Sequence, residues 1–520
     1  MKKKNFNFIF CIVLLFILTV NSCTTDNWDA HYSPVSGTKS DLNLYDYIKT
    51  QDSLSIFASM IKIAGYDTIL NKPQTYTVWA PINSALLSVN LNDSAKVKEL
   101  VENHIARFSY PTSGISSKQI YMLAKKIIVF AGNGSSYTFG GNKLLTSNIA
   151  TSNGILHYIQ NYVPYLSNIW EYIGKTQGLD SLKNYLYSNS KYEFDIKASG
   201  NDIGTNANGQ LIYDSVFTFT NKILNRLGSL NTEDSIYTAI LPSNTAWSEA
   251  YTRIKPYFNT LAIDGGAAQQ RAFTQWAIVQ DLVFRKIVSN PGSLDSLVST
   301  TRDVFYHPDS LFIGTTPASV SNGLVYISDL LQFKASNSWQ KEIRVEAEKA
   351  SFTDTGMKSN CDIFLRTSAG SGFNISNNSY IYIKNLATSN FSPVFVKFRI
   401  PNTLSAKYNI YCVFVPTIIT DVTDLRPSKV NFYLTWVDAN GVEQKDKSIT
   451  VATNVTDPTK PTKMFVTQFQ FPICNLMTSD NYSTYIASAL LKVENAVKTT
   501  ETVAFNRDMR IDCIILEPVQ

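Results

Sequence analysis

Four histidines, His31, His104, His157 and His307, are the side chains of this 520-residue chain best suited to move protons near neutral pH. None of them is paired at metal-ligand spacing, which argues against a zinc hydrolase and against most histidine-based catalysis. His104 and His157 invite thoughts of a metal site or an acid–base pair. They are read instead as packed, hydrogen-bonded parts of the fold. Six cysteines fall into two groups: Cys11 and Cys23 near the start, and Cys361, Cys412, Cys474 and Cys513 in the last 160 residues. The second group is too widely spaced for a zinc knuckle. In an exported chain its members are open to three disulfide pairings or to life as buried thiols. Sugar hydrolysis needs two carboxylates facing one cleft, and no motif places such a pair among the 41 acids. No catalytic residue is assigned and no catalytic cofactor is expected.

The surroundings of these residues agree with a binding role. Apolar residues make up 44% of the chain and charged residues 17%, a balance that builds packed cores and is not that of a disordered chain. Length alone suggests about three domains. Net charge is +5, but Lys2, Lys3 and Lys4 supply three of those charges, so the rest of the chain is near neutral. Such a chain has no basic stripe for nucleic acid.

The N-terminus reads as an address. Lys2 to Lys4 form a positive start, and Phe8 to Val20 is a 13-residue apolar run broken only by Thr19. That run is too short to span a bilayer and suits the core of a signal peptide. Val20-Asn21-Ser22-Cys23 follows, and a small residue before a cysteine at this place resembles a bacterial lipoprotein signal. The resemblance implies that residues 1–22 are removed and that Cys23 carries an N-terminal lipid. Several acyl chains anchor stably without a transmembrane helix. Residues 23–39 are polar, with Pro34 and Gly37, and read as a tether.

The middle of the chain repeats itself. Tyr76-Thr77-Val78-Trp79-Ala80-Pro81-Ile82-Asn83-Ser84-Ala85-Leu86 matches Tyr237-Thr238-Ala239-Ile240-Leu241-Pro242-Ser243-Asn244-Thr245-Ala246-Trp247. Ser152-Asn153-Gly154-Ile155-Leu156-His157-Tyr158-Ile159 matches Ser321-Asn322-Gly323-Leu324-Val325-Tyr326-Ile327-Ser328. Two motifs recurring in order at nearly one offset point to a duplicated domain. The first motif predicts a strand that proline stops, with Asn83 or Ser84, and Ser243 or Asn244, capping a helix. The second predicts an Asn-Gly turn and a strand buried on both faces. Apolar spacing predicts helices over Val97–Ile105 and Ala272–Phe284. Tyr326 at the place of His157 supports a packing role there, since tyrosine fills the space but is no substitute for a histidine base.

This pair of motifs resembles the two signature boxes of fasciclin-like domains, over about residues 40–166 and 167–335. Asn103-His104-Ile105 falls where that family carries a Tyr-His helix end. Ile82, Gln160, Tyr326 and Ser328 depart from its pattern. The resemblance implies a β-wedge with packed helices, an adhesive or ligand-binding role, and no catalytic residues.

From about Trp339 the pattern alternates with period two, with strands over Tyr380–Ile383, Val394–Pro401, Tyr408–Val415, Val430–Trp436 and Met509–Leu516, and a hairpin turn at Asn440-Gly441. This predicts an all-β jelly-roll sandwich over 340–520. Val345-Glu346-Ala347-Glu348, the central strand pair and Arg510-Ile511-Asp512 resemble carbohydrate-binding modules of the galactose-binding jelly-roll type. That resemblance implies a structural calcium held by Glu346, Glu348 and Asp512, whose hard oxygens suit the ion. Tyr433, Trp436, Tyr482 and Tyr485 are the aromatic candidates for stacking on a sugar.

The expected fold is therefore two α+β fasciclin-like domains followed by a β-sandwich. The expected protein is a non-enzymatic surface lipoprotein of Bacteroidota type. It is lipid-anchored in the outer membrane and faces the exterior. It binds glycan or serves as an accessory subunit of a β-barrel glycan importer. The alternative is an adhesin for a host or matrix protein, and a glycoside hydrolase is a distant third.

Overall fold

The computed structural model describes residues 39–205, 208–349, 353–449, 454–478 and 481–519. The signal segment, Cys23 and the tether up to Thr38 lie outside the described residues. The chain forms two compact units, one ending at Ser167 and one beginning at Asn168.

In the first unit the two repeated motifs lie side by side. Tyr76–Pro81 pairs in parallel with Gly154–Ile159, Tyr76 opposite Gly154 and Pro81 opposite Ile159. A parallel pair at the centre of a sheet needs cover on both faces, and all six residues of Tyr76–Pro81 are buried. Tyr76, Val78 and Ala80 face Leu44, Phe57, Ile61, Val97 and Val101 of the helices Leu44–Lys49, Ser55–Ile63 and Ser94–Glu102. Trp79 points the other way, into Phe130, Phe139 and Ile159. Seven strands make up this sheet.

The second unit repeats the arrangement in a four-stranded sheet, with Tyr237 opposite Gly323 and Pro242 opposite Ser328. In each copy the glycine is required by close approach. A Cβ on Gly154 would lie 2.0 Å from the Tyr76 carbonyl oxygen, and one on Gly323 1.8 Å from that of Tyr237. The turn occupies Ser152-Asn153 and Ser321-Asn322, so each glycine is already the first strand residue.

Local differences follow from single residues. Ser243 caps the helix Asn244–Ile254 by accepting from the Ala246 amide. Its counterpart Ile82 has no oxygen to offer, and the matching helix, Asn83–Leu86, lasts four residues. The predicted helix over 97–105 is Ser94–Glu102, and the one over 272–284 is Gly266–Val279. Both stop early because Ile105, Val283 and Phe284 are needed as strand residues beside the central strand. A two-stranded ribbon, Ser190–Phe194 against Phe217–Asn221, is inserted in the second copy, with a second small ribbon, Asp202–Thr205 against Leu211–Tyr213, within it.

The C-terminal part is the sandwich that the alternation predicts, two six-stranded sheets. One holds Cys361–Thr367, Ser379–Asn385, Met509–Pro518, Lys407–Phe414 and Thr462–Gln470, with Ile343–Glu346 beside Met509–Pro518. The other holds Thr353–Ser359, Phe395–Ile400, Ala489–Asn495, Lys429–Val437 and Glu443–Ser448, with Asn454–Val455 beside Lys429–Val437. Val396, Phe398, Val430, Phe432, Leu434, Leu491 and Val493 from the second sheet are buried in one core with Ile410, Cys412, Phe414 and Ile511 from the first. Cys361, Cys412, Cys474 and Cys513 are all buried thiols, and none is in a disulfide. The same core continues into the second copy. There Ser405 donates its amide to the Tyr257 carbonyl at 2.8 Å, and Cys474 to that of Asn259 at 2.6 Å.

Candidate functional site

His104 and His157 are built into the fold. His104 is fully buried; Nδ1–H donates to the Leu100 carbonyl at 2.7 Å and Nε2 accepts from the Val163 amide at 2.9 Å. His157 donates from Nε2 to the Tyr110 carbonyl at 3.0 Å and accepts at Nδ1 from the Asn148 amide at 3.3 Å. Burial pushes both down to about 4, so they stay neutral at physiological pH. In the second copy the Tyr326 hydroxyl donates to the Val288 carbonyl at 2.6 Å. Tyr110 and Val288 are equivalent, since the Tyr110 amide donates to Thr77 and the Val288 amide to Thr238. Tyrosine thus takes over the donor role of the imidazole.

A second acidic feature was not visible in the sequence. Asp281, 1% exposed, accepts from Thr301 Oγ1 at 2.5 Å, Ser299 Oγ at 3.1 Å, Gln280 Nε2 at 3.1 Å and the Ser338 hydroxyl. Asp303 beside it is pushed up to about 6 by burial and by Asp281, while Lys341, 3.3 Å away, pulls it down. These bonds tie the end of the helix Gly266–Val279 to the segment leading into the sandwich. A carboxylate so fully occupied by hydroxyls is a clamp, and it offers no free oxygen to a substrate.

Two of the three acids implied as calcium ligands, Glu346 and Asp512, bring carboxylate oxygens within 4.8 Å of each other; Glu348 lies close enough to raise Asp512 but is not part of that group. Glu346 closes one strand, Asp512 sits in the neighbouring strand, and Glu348 follows in the turn. One oxygen of each is held from the turn after Ile375. Ser376 Oγ donates to Glu346 Oε1 at 2.8 Å, the Ser376 amide to Asp512 Oδ2 at 3.2 Å, and Asn377 Nδ2 to Glu348 Oε1 at 3.1 Å. The other oxygen of each, Glu346 Oε2, Glu348 Oε2 and Asp512 Oδ1, is buried without a partner. Carboxylates sharing a buried place repel one another and lose hydration. Asp512 is accordingly pushed up to about 6, by burial first and then by Glu346 and Glu348. The orphaned oxygens of Glu346 and Asp512, close together and of one sign, are the kind of donors that a hard divalent cation satisfies, whereas Glu348 stands outside their mutual reach. Cys513 also lies within reach of Glu346 and Asp512, but burial pushes its thiol up to about 12, and a neutral sulfur is a poor ligand for such an ion.

The four aromatic candidates are not brought together. Trp436 packs against Phe469, ring centroids 4.8 Å apart, alongside the shared core. Tyr485 accepts the Asn402 amide at 2.8 Å and donates to the Asn475 carbonyl at 3.3 Å, which fixes a loop. Tyr482 is 73% exposed on a separate turn. Tyr433 alone stands on the outer face of the sheet, where a cluster surrounds it. Lys492 Nζ lies 4.5 Å from the ring centroids of both Tyr433 and Phe395. It pairs with Glu494 at 2.5 Å, and Glu494 accepts from the Tyr433 hydroxyl at 3.2 Å. Lys397 pairs with Asp446 at 2.8 Å, and Asp446 accepts from Thr435 at 3.2 Å.

A β-bulge builds part of this face. Leu434 opposes Lys447 and Trp436 opposes Gln444, so the edge strand carries one extra residue. Asp446 lies within the bulge with φ of 45°, a left-handed conformation unusual for a non-glycine. Such bulges re-aim side chains, and here the carboxylate meets Lys397. Burial pushes Asp446 up, and the lysine outweighs it and holds it low. Phe395, Lys397, Lys492, Glu494 and Asp446 escaped the sequence reading. The signal was present in Phe395-Val396-Lys397-Phe398-Arg399, whose outward positions are aromatic or charged while the inward ones are apolar.

Residues 52–163 match the family model of the fasciclin domain. No curated protein sequence matches the chain. Among solved structures, a FAS1 domain pair from the insect cell adhesion molecule fasciclin I is 11% identical and covers 56% of this chain and 97% of its own, with a TM-score of 0.20. The C-terminal family 22 carbohydrate-binding module of Clostridium thermocellum Xyn10B is 13% identical and covers 34% of this chain and 92% of its own, at 0.20. A family 35 carbohydrate-binding module from Clostridium thermocellum is 9% identical and covers 35% and 100%, also at 0.20. Among the described residues no helix is long and apolar enough to cross a membrane.

Proposed function

We propose that this chain is a non-enzymatic, lipid-anchored cell-surface protein that holds glycan on the outer face of its sandwich, as an accessory to an outer-membrane importer of a Bacteroidota-type cell. One observation carries the glycan reading: the Phe395–Tyr433 platform with its ion-paired lysines and carboxylates. Sugars offer an apolar ring face and a fringe of hydroxyls. Aromatic rings suit the first, and charged groups held in fixed pairs suit the second, since charge-assisted hydrogen bonds are the strong ones. Glu346 and Asp512 would hold a structural calcium that fixes the strands Ile343–Glu346 and Met509–Pro518; the ion would neutralise their charge and take no part in chemistry.

Affinity electrophoresis of the full chain through gels containing neutral plant and host polysaccharides tests this. Retardation of the native chain, with Tyr433→Ala and Lys492→Ala each weakening it about tenfold or more, supports the reading; at RT ln 10 that is about 1.4 kcal/mol. Retardation unaltered by both substitutions would move the site elsewhere. The match of residues 52–163 to the fasciclin domain favours a second reading, adhesion to a protein. Binding to matrix proteins with no polysaccharide retained would favour it.

A further inference from the structure

The two copies differ in the residues along one helix face and beside it. Asn83 accepts from the Ile56 amide, and Asn244 accepts from the Ser181 amide. These paired bonds align the helix Ser55–Ile63 with the helix Asp180–Tyr187. In that register Ile56 becomes Ser181, Ser59 becomes Asn184, Met60 becomes Tyr185 and Ile63 becomes Ser188. Leu86 becomes Trp247 by the motif alignment. Three apolar side chains of the first copy have thus become hydroxyls or a phenol, and a leucine beside them has become tryptophan.

In the second copy these positions line a groove of about 470 Å³. Pockets that take small ligands run from roughly 300 to 1,000 Å³. Tyr185 and Trp247, ring centroids 5.6 Å apart, form its floor. Arg271 and Gln275, one turn apart on the helix Gly266–Val279, form the wall facing Asn184 and Ser188. No acid lines it. Arg271 is exposed and makes no ion pair among the described residues. A guanidinium without a counter-charge, set beside free amides and above an aromatic floor, fits a ligand with a planar anion on a hydroxylated ring. Arginine's fork matches a carboxylate bidentately, which a lysine cannot do.

We propose that this groove binds a uronic acid residue of an acidic glycan, the carboxylate on Arg271 and the ring hydroxyls on Asn184 and Gln275. The proposal rests on the glycan-binding reading but uses a different surface from the Tyr433 face. The test is calorimetric titration of the full chain with oligogalacturonate and with the same oligosaccharide after carboxyl reduction. The expected result is binding of the acid form, no binding of the reduced form, and a loss of tenfold or more in Arg271→Ala. Arg271→Lys keeps the charge without the fork and should lose most of that affinity. Tyr433→Ala should bind the uronide as the native chain does. Equal affinity in Arg271→Ala, or equal binding of acid and reduced forms, would overturn the proposal. So would uronide binding abolished by Tyr433→Ala. A chain that retains neutral polysaccharide but no uronide would overturn this proposal alone and leave the sandwich reading standing.

Discussion

Asn153 accepts the Leu44 amide at 2.8 Å and donates to the carbonyls of Leu70 and Lys72, and Asn322 repeats this with Ile169, Leu230 and Thr232. Each amide therefore ties the turn between two strands to the first helix and to the approach to the central strand. Replacing either by alanine leaves a buried backbone donor unpaired, at roughly 1–3 kcal/mol. Urea unfolding of Asn322→Ala should lose about that much, and Asn322→Asp should restore only the bond from the Ile169 amide, because a carboxylate cannot donate to the Leu230 and Thr232 carbonyls. The sequence announced these asparagines only as turn residues. Their side-chain partners lie more than 80 positions away, at distances that no local pattern encodes. Glu346 and Asp512 were named from a resemblance, and their neighbouring orphaned oxygens give that pair a physical reason. Calcium should raise the melting temperature by several degrees, since saturation at 100 times Kd stabilises by about 2.7 kcal/mol. Glu346→Gln should abolish the response and Cys513→Ala should keep it. Because Asp512 titrates near 6 without the ion, protons compete, and the response should fade from pH 7 to pH 5.

At the scale of elements, the repeated strands were readable because both motifs carry their own punctuation, a proline at one end and a glycine at the other. Helix ends were not, because Ile105, Val283 and Phe284 satisfy helical spacing as well as strand pairing. Tertiary need for a neighbouring strand decided them. The outer face of the sandwich was legible in part, in the alternation of Phe395–Ile400, but Asp446 joins it only through a bulge in the edge strand that no local pattern marks. The two buried histidines make a prediction that belongs to the first unit alone. Their folded values, about 4, lie below the unfolded 6.5. A depressed histidine stabilises above its unfolded value and loses that stability as pH falls toward the folded one. Two to three pH units at 1.36 kcal/mol each give on the order of 3 kcal/mol per histidine. Asp303 and Asp512 have the opposite sign: raised to about 6, they oppose folding once ionised and favour it on acidification from pH 7 to about 4. Calorimetry without calcium should show the first unit melting earlier as pH falls from 6.5 to 4. His157→Gln, which keeps a donor to Tyr110, should flatten that dependence. Parallel shifts of both units would contradict the assignment.

For the whole molecule, the second copy and the sandwich share one core, so a ligand on the sandwich stabilises that entire unit by mass action. Cutting the chain near 340 should split that shared core, free the Tyr257 and Asn259 carbonyls from Ser405 and Cys474, and leave two fragments less soluble than the whole. The most direct measurement of the central claim is hydrogen exchange of the full chain with and without a polysaccharide that it retains in a gel. The account predicts slowed exchange over Phe395–Ile400, Lys429–Val437 and Ala489–Asn495, with no new reducing ends released. Protection confined to the unit ending at Ser167, or sugar released into solution, would contradict it.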